Sequence, residues 1–241
     1  MKRFVKRKIV DAVSPVLDAR LAALQARIET LEYRSFNRRF YAVEQSADYL
    51  VGAKIPGDYL EFGVYQGATF RHAWRTMSWL FPEMRFIAFD SFEGLPAPKG
   101  IDADGGYSSN FHAAEFRCDE GAFLANLSAD GVDLSRVKIV KGWFDRTLAP
   151  GGEGEQCVGK TAFAWIDCDL YESTVPVLSF LTRRIVPGSV IAFDDWRSFR
   201  NHPGFGEQRA CREWLAANPQ IVLNELFAFG SSGIAFTVTS C

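Results

Sequence analysis

The sequence predicts an α/β fold, a mostly parallel sheet of seven strands with helices on both faces and an antiparallel hairpin at its C-terminal end. Short apolar strands alternate with helical segments from about residue 58 onward, which is the pattern of a parallel sheet covered on both sides. A glycine-bearing turn follows the first strand, and the last two apolar runs are joined by a Gly-Ser turn. At 241 residues the chain is long enough for one well-buried domain plus an accessory segment.

The accessory segment comes first, as an N-terminal amphipathic helical extension over 1–35 ahead of a domain over 36–241. Ser14-Pro15 reads as its helix start, because serine caps and proline fits the first turn. Leu17, Leu21, Leu24, Ile28 and Leu31 then succeed one another at spacings of four, three, four and three, a short a/d seam. Such a seam packs either on a second subunit or on its own domain; a homo-oligomer, a dimer first, is the expectation. Strands are expected over 58–64, 85–90, 137–141, 161–167, 189–194, 220–229 and 232–239. Helices are expected over 68–80, 113–127, 173–184 and 207–217. The loop from Ser91 to Asn110, with Pro96, Pro98, Gly100, Gly105 and Gly106, is long for such a connection and suits a lid or a substrate wall. The stretch after Trp196, with Phe199, Arg200, His202 and Phe205, suits a second wall.

Composition excludes several classes. Hydrophobic residues make up 48% and charged residues 23%, ordinary for a globular chain, and a net charge of -2 gives no reason to expect a nucleic-acid partner. No apolar run is long enough for stable membrane insertion. Lys2, Arg3, Lys6, Arg7 and Lys8 resemble the start of an export signal, but Asp11, Asp18 and Arg20 interrupt the apolar stretch that such a signal needs, so a cytoplasmic protein is expected. The basic cluster reads as a solvated charge run, with contact to an anionic membrane surface as the other reading. Cys118, Cys157, Cys168, Cys211 and Cys241 are odd in number and contain no C-x-x-C pair, which argues against a disulfide framework or a thiolate zinc site.

Ligands of an open parallel sheet bind at the carboxyl ends of its strands. The first strand ends Glu61-Phe62-Gly63-Val64-Tyr65-Gln66-Gly67, where glycines let backbone approach a ligand and the next helix offers its N-terminus. The second ends at Asp90, 23 residues beyond Gly67, where a carboxylate can accept hydrogen bonds from ribose hydroxyls. Together they point to an adenosine-type cofactor; the other reading of Asp90 is a cap on its own turn. Tyr65 stands where a dinucleotide site needs its second glycine, and no G-K-[ST] follows, so pyrophosphate and P-loop sites are disfavoured. Glu61 suits a cationic ligand. S-adenosylmethionine carries an ammonium and a sulfonium and no phosphate, so charge and spacing favour it. At the fourth strand end lie Asp167 and Asp169, at the fifth Asp194 and Asp195. Gathered on one rim they would repel one another, and a hard divalent cation, Mg2+ before others, relieves this. The alternative is that some point to solvent or cap the following helices.

These segments resemble the macrocin O-methyltransferase family, class I methyltransferases acting on sugar or phenolic hydroxyls of natural products. The resemblance rests on Tyr59–Gly67, Phe89–Pro96, Lys141–Phe144, Asp167–Thr174 and Gly188–Trp196, and spans most of residues 55–200. It implies a Rossmann-like class I fold. It implies metal ligation by Asp167, Asp194 and Asp195 and a general base at Asp169. Cofactor contacts are implied at Glu61, Gly63, Asp90 and Ser91, and also at Asp167, with Trp143 packed near the adenine. The acceptor would be a small-molecule hydroxyl of a sugar or glycoside. Other readings are a catechol-like phenolic O-methyltransferase, a nicotinamide-dependent oxidoreductase, and an inactive methyltransferase fold serving as an oligomerisation module. Catechol-type enzymes use a lysine shortly after the first ligand, and here Leu170 follows Asp169 with no lysine nearby. Among the histidines, His72 is expected to pack within its helix, His202 reads as an exposed loop residue before it reads as an alternative base, and His112 is unassigned.

Overall fold

Side chains that alternate along a strand go to opposite faces of its sheet. Along β1 (Asp58–Phe62), Tyr59 enters one buried cluster while Leu60 and Phe62 enter another. β2 (Phe86–Asp90), β4 (Thr161–Ile166) and β5 (Ile185–Phe193) divide their apolar residues in the same way. With β3 (Val137–Lys141), β6 (Val222–Phe229) and β7 (Gly233–Ser240) they form one sheet of seven strands in the order β3-β2-β1-β4-β5-β7-β6. β1 to β5 run parallel, and β7 lies antiparallel between β5 and β6. The expected α/β class, strand count and terminal hairpin are all present.

The computed structural model describes residues 2–103 and 111–241, with side chains for these except 2–16 and 29–36. Two compact units divide the chain, Met1–Arg38 and Arg39–Cys241. The first is helical: α1 (Lys2–Ala53) begins at Lys2, so Ser14-Pro15 falls inside the helix and does not start it. Of the seam residues, Leu17, Leu21, Leu24 and Ile28 are each more than half exposed, at 51–64%; the side chain of Leu31 lies outside the described residues.

In the second unit, the end of α1 contributes Ala42, Val43, Ala47 and Leu50 to one core. α2 (Ala68–Met77) adds Phe70 and Trp74, and α3 (Glu120–Ala129) adds Phe123 and Leu127. α4 (Phe144–Thr147) and α5 (Glu153–Cys157) are single turns, whereas α6 (Tyr171–Leu181) and α7 (Gly206–Ala217) build the other core with Val177, Leu178, Ala210 and Trp214. One helix starts later than its sequence suggests. Ala114 and Phe116 hold positive φ, and Asp119 caps α3 by accepting from Gly121 N at 2.8 Å, so residues 113–119 are turns rather than helix. All five cysteines are free thiols. No helix among the described residues is long and apolar enough to cross a membrane.

Candidate active site

The strand order reverses between β1 and β4, which opens a crevice at their carboxyl ends. Gly63 stands there with φ +86°, and a Cβ on it would lie 2.0 Å from the Asp167 carbonyl oxygen. The close approach of the β1 and β4 ends by itself requires glycine here. Gly67, at φ +78°, precedes α2 and faces the Phe123 ring. Asp90 ties the turn to β2: its Oδ2 accepts from Val64 N at 2.8 Å and Tyr65 N at 3.3 Å, and its Oδ1 from Phe92 N at 2.7 Å. Burial raises its pKa and these three bonds work against the rise. Ser91 is buried in its own turn, accepting from Glu93 N and donating to the Gly94 carbonyl. Trp143 stands just before α4 at the end of β3, half-buried, and makes no side-chain cap.

Glu61 is 1% exposed and takes the Tyr59 hydroxyl as its donor. Burial drives its carboxyl well above the usual range; the Tyr59 bond opposes the shift and the Asp167 charge adds to it.

Across the switch point, Asp167, Asp194 and Asp195 come together, with Asp169 close enough to feel their charge. Asp167, Asp194 and Asp195 each offer a carboxylate oxygen, and the three atoms lie within 4.8 Å of one another. Asp169 is 8% exposed and holds a left-handed backbone at φ +60°, a conformation aspartate tolerates better than most residues. Burial pushes Asp167 up to about 7, with Arg39 working against the shift and Asp195 adding to it. Asp169 and Asp194 rise well above the carboxylate range, first from burial and then from their acidic neighbours.

Two members of the cluster carry no signal in the sequence. Glu207, at the start of α7 and 1% exposed, accepts from Asp195 N through Oε2 at 3.0 Å. In the sequence it reads only as an acidic residue in a first helical turn. Arg39 sends Nη2 to 2.5 Å from Asp194 Oδ2 and Nη1 to 3.9 Å from Asp167 Oδ2. Burial alone would lower its pKa, but Asp167, Asp194, Asp195 and Asp169 outweigh burial and raise it.

One guanidinium does not satisfy the cluster. Asp195 Oδ1 takes the Ser198 hydroxyl, yet Asp195 Oδ2 and Glu207 Oε1 are buried oxygens without a hydrogen-bond donor. Unpaired buried carboxylate oxygens are costly, and an all-oxygen donor set of this kind fits a hard divalent cation.

Beside Asp169, Leu170 packs with Phe111 and Phe199, and Leu95 and Phe205 join them. Both expected walls therefore meet in one small apolar cluster. The first is held down by Asp102, fully buried in a 3-10 turn over Gly100–Ala103, which accepts from Tyr171 N at 3.0 Å and Glu172 N at 3.1 Å. Gly105 and Gly106 lie outside the described residues. His72 stacks on Phe40 and pairs with Glu44, so it packs α2 against α1 rather than within its own helix. His202 is exposed and accepts from Gly204 N, and His112 is exposed.

The family model described as Macrocin-O-methyltransferase (TylF) matches residues 34–213. A tetracenomycin-C rhamnosyl 4'-O-methyltransferase of Streptomyces olivaceus is 32% identical over 147 residues, covering 59% of this chain and 54% of that protein. Mycinamicin III 3''-O-methyltransferase of Micromonospora griseorubida is 29% identical, covering 59% of this chain and 56% of that protein. The chain matches little more than half the length of these curated relatives. Among solved structures, the O-methyltransferase NovP superposes with a TM-score of 0.69 at 22% identity, covering 84% of this chain and 80% of that one. The calicheamicin methyltransferase CalS11 superposes at 0.65 and 23% identity, covering 82% and 77%.

Proposed function

This chain belongs to the macrocin O-methyltransferase family, and from that premise we propose that it transfers a methyl group from S-adenosylmethionine to a hydroxyl of a sugar or glycosylated natural product, with a divalent cation, Mg2+ before others. The observation that carries the proposal is the meeting of Asp167, Asp194 and Asp195 at the ends of β4 and β5. The sugar acceptor rests on the relatives, one named as a 4'-O-methyltransferase of a rhamnosyl tetracenomycin and another as a mycinamicin III 3''-O-methyltransferase.

Each group of residues has a share in this reading. Asp90 keeps acceptor capacity for ribose hydroxyls while bracing the turn. Glu61 supplies a buried negative charge to a cationic ligand, and Gly63 holds the two strand ends close. Asp167, Asp194 and Asp195 would hold the cation. A bound divalent cation supplies Lewis acidity, lowering the pKa of an acceptor hydroxyl. As the acceptor oxygen bonds to the methyl carbon, the carbon–sulfur bond breaks, its electron pair goes to sulfur to leave S-adenosylhomocysteine, and Asp169 receives the hydroxyl proton on its carboxylate. Its place beside Asp167, nearly buried and next to Leu170, suits it to this. Positioning by Leu170, Phe111 and Phe199 supplies the rest, and orientation alone lowers such barriers by ~7–11 kcal/mol.

The exposed seam of Leu17, Leu21, Leu24 and Ile28 supports a homo-oligomer, a dimer first.

The test is calorimetry with S-adenosylhomocysteine and with Mg2+, followed by methyl transfer to a panel of deoxysugar glycosides. Asp169→Asn is expected to bind both ligands as the wild type does and to lose turnover by ~100-fold or more. Near-normal turnover in Asp169→Asn removes Asp169 from the role of base, and absence of cofactor binding in the wild type removes the activity.

A further inference from the structure

The guanidinium of Arg39 stands among the oxygens assigned above to a divalent cation. It reaches Asp194 and Asp167, two of the three carboxylates in the cluster. Its backbone is fixed, since Ala42, Val43, Ala47 and Leu50 on the following turns of α1 are buried in the core. Its side chain is different: it is 34% exposed, against 25% for that of Asp167 and 3% for that of Asp194, so it has a way out to solvent.

We propose that Arg39 is the resident counter-ion of the Asp167–Asp194–Asp195 site and competes with the divalent cation for it, so that metal entry and withdrawal of the Arg39 side chain are one event. The inference rests on the metal reading above and deepens it, by naming the residue that sets the metal affinity. Two cations drawn to the same carboxylate oxygens repel each other in a poorly screened site. Charge also decides the direction. One guanidinium faces Asp167, Asp169, Asp194 and Asp195, and it leaves Asp195 Oδ2 without a donor. A dication neutralises more of this charge, so the exchange runs toward metal when metal is present. In its absence, Arg39 keeps the carboxylates from repelling one another.

The experiment measures Mn2+ affinity of the full chain by calorimetry for the wild type, Arg39→Met, Arg39→Lys and Asp194→Asn. Met keeps the aliphatic bulk and removes the charge, and Lys keeps the charge. Arg39→Met is expected to bind Mn2+ at least ~10-fold more tightly than the wild type, with Arg39→Lys near the wild type and Asp194→Asn weaker than either. A merely structural arginine would leave the Met and Lys variants equally weakened. If the wild type binds Mn2+ and Arg39→Met binds no more tightly, the competition is overturned while the metal reading stands. If neither binds Mn2+ while S-adenosylhomocysteine still binds, the metal reading itself fails, and this one with it.

A measurement on the wild type guards against misfolding of Arg39→Met. The Arg39 Nε–H resonance, identified by its loss in Arg39→Lys, is expected to shift on addition of diamagnetic Mg2+. An unmoved resonance at saturating Mg2+ overturns the proposal.

Discussion

At the scale of the residue, burial decides what the acidic side chains can do. Glu61 has a carboxyl raised well above its ordinary range, chiefly because burial penalises its charge. A group whose folded pKa exceeds its unfolded one binds more protons in the native state. Stability therefore falls as pH rises from the ordinary carboxylate range toward the folded value. Glu61→Gln removes that loss and still accepts the Tyr59 hydroxyl. Its metal- and cofactor-free form is expected to be more stable than the wild type at pH ~8 by ~1 kcal/mol or more, since a tenfold change in proton affinity is worth ~1.4 kcal/mol, with the difference shrinking toward pH ~4. Urea unfolding at the two pH values measures this, and an equal gap at both would show that the charge of Glu61 carries no folding cost. Calorimetry should find S-adenosylhomocysteine bound more weakly by the variant, which separates the functional use of the charge from its structural penalty. Glu61, Asp90 and the four aspartates were all legible as strand-end carboxylates, because the carboxyl edge of a parallel sheet is where ligands collect. Arg39 and Glu207 were not, since their elements reach the rim from sequence positions far outside any strand-end motif.

At the scale of the element, α6 is capped from a distance. Leu170, at its N-cap, makes no side-chain cap, and Asp102 supplies one from the loop after β2. A buried carboxylate on two helix N-terminal amides stabilises the helix and pins the loop in one stroke. Asp102→Ala is expected to cost ~1–2 kcal/mol of stability and to raise KM for the acceptor more than it lowers kcat, because Asp169 and the cofactor turn keep their own supports. Denaturant unfolding and steady-state kinetics measure the two effects, and an unchanged KM would detach the loop from acceptor binding. The length and composition of this loop announced a wall or lid. Its anchor could not be read, because Asp102 and the α6 amides it caps are about 70 residues apart in the chain. The late start of α3 has a local cause instead: the apolar spacing over 113–127 looks helical, but the left-handed turns at Ala114 and Phe116 and the Asp119 cap defer the helix to Glu120.

At the scale of the whole molecule, the helical N-terminal unit presents Leu17, Leu21, Leu24 and Ile28 to solvent in a single chain. If a second copy covered them, such a/d residues would each contribute ~1.5–3 kcal/mol. The full chain is expected to sediment as a dimer or larger. Leu21→Glu with Ile28→Glu is expected to shift it to monomer. A wild type that sediments as a monomer at micromolar concentration would remove the seam from this role.

Periodicity and turn chemistry, both properties of neighbouring residues, were enough for the sequence to determine the α/β class, the seven strands, the terminal hairpin and the strand-end positions of the acidic residues. Tertiary structure alone decided that the Gly63 backbone lies against Asp167, that Asp102 caps α6, and that Arg39 shares the acidic rim with Glu207. Those contacts join segments tens to more than a hundred residues apart, and only the packing of helices over a completed sheet brings such segments within reach of one another's charge.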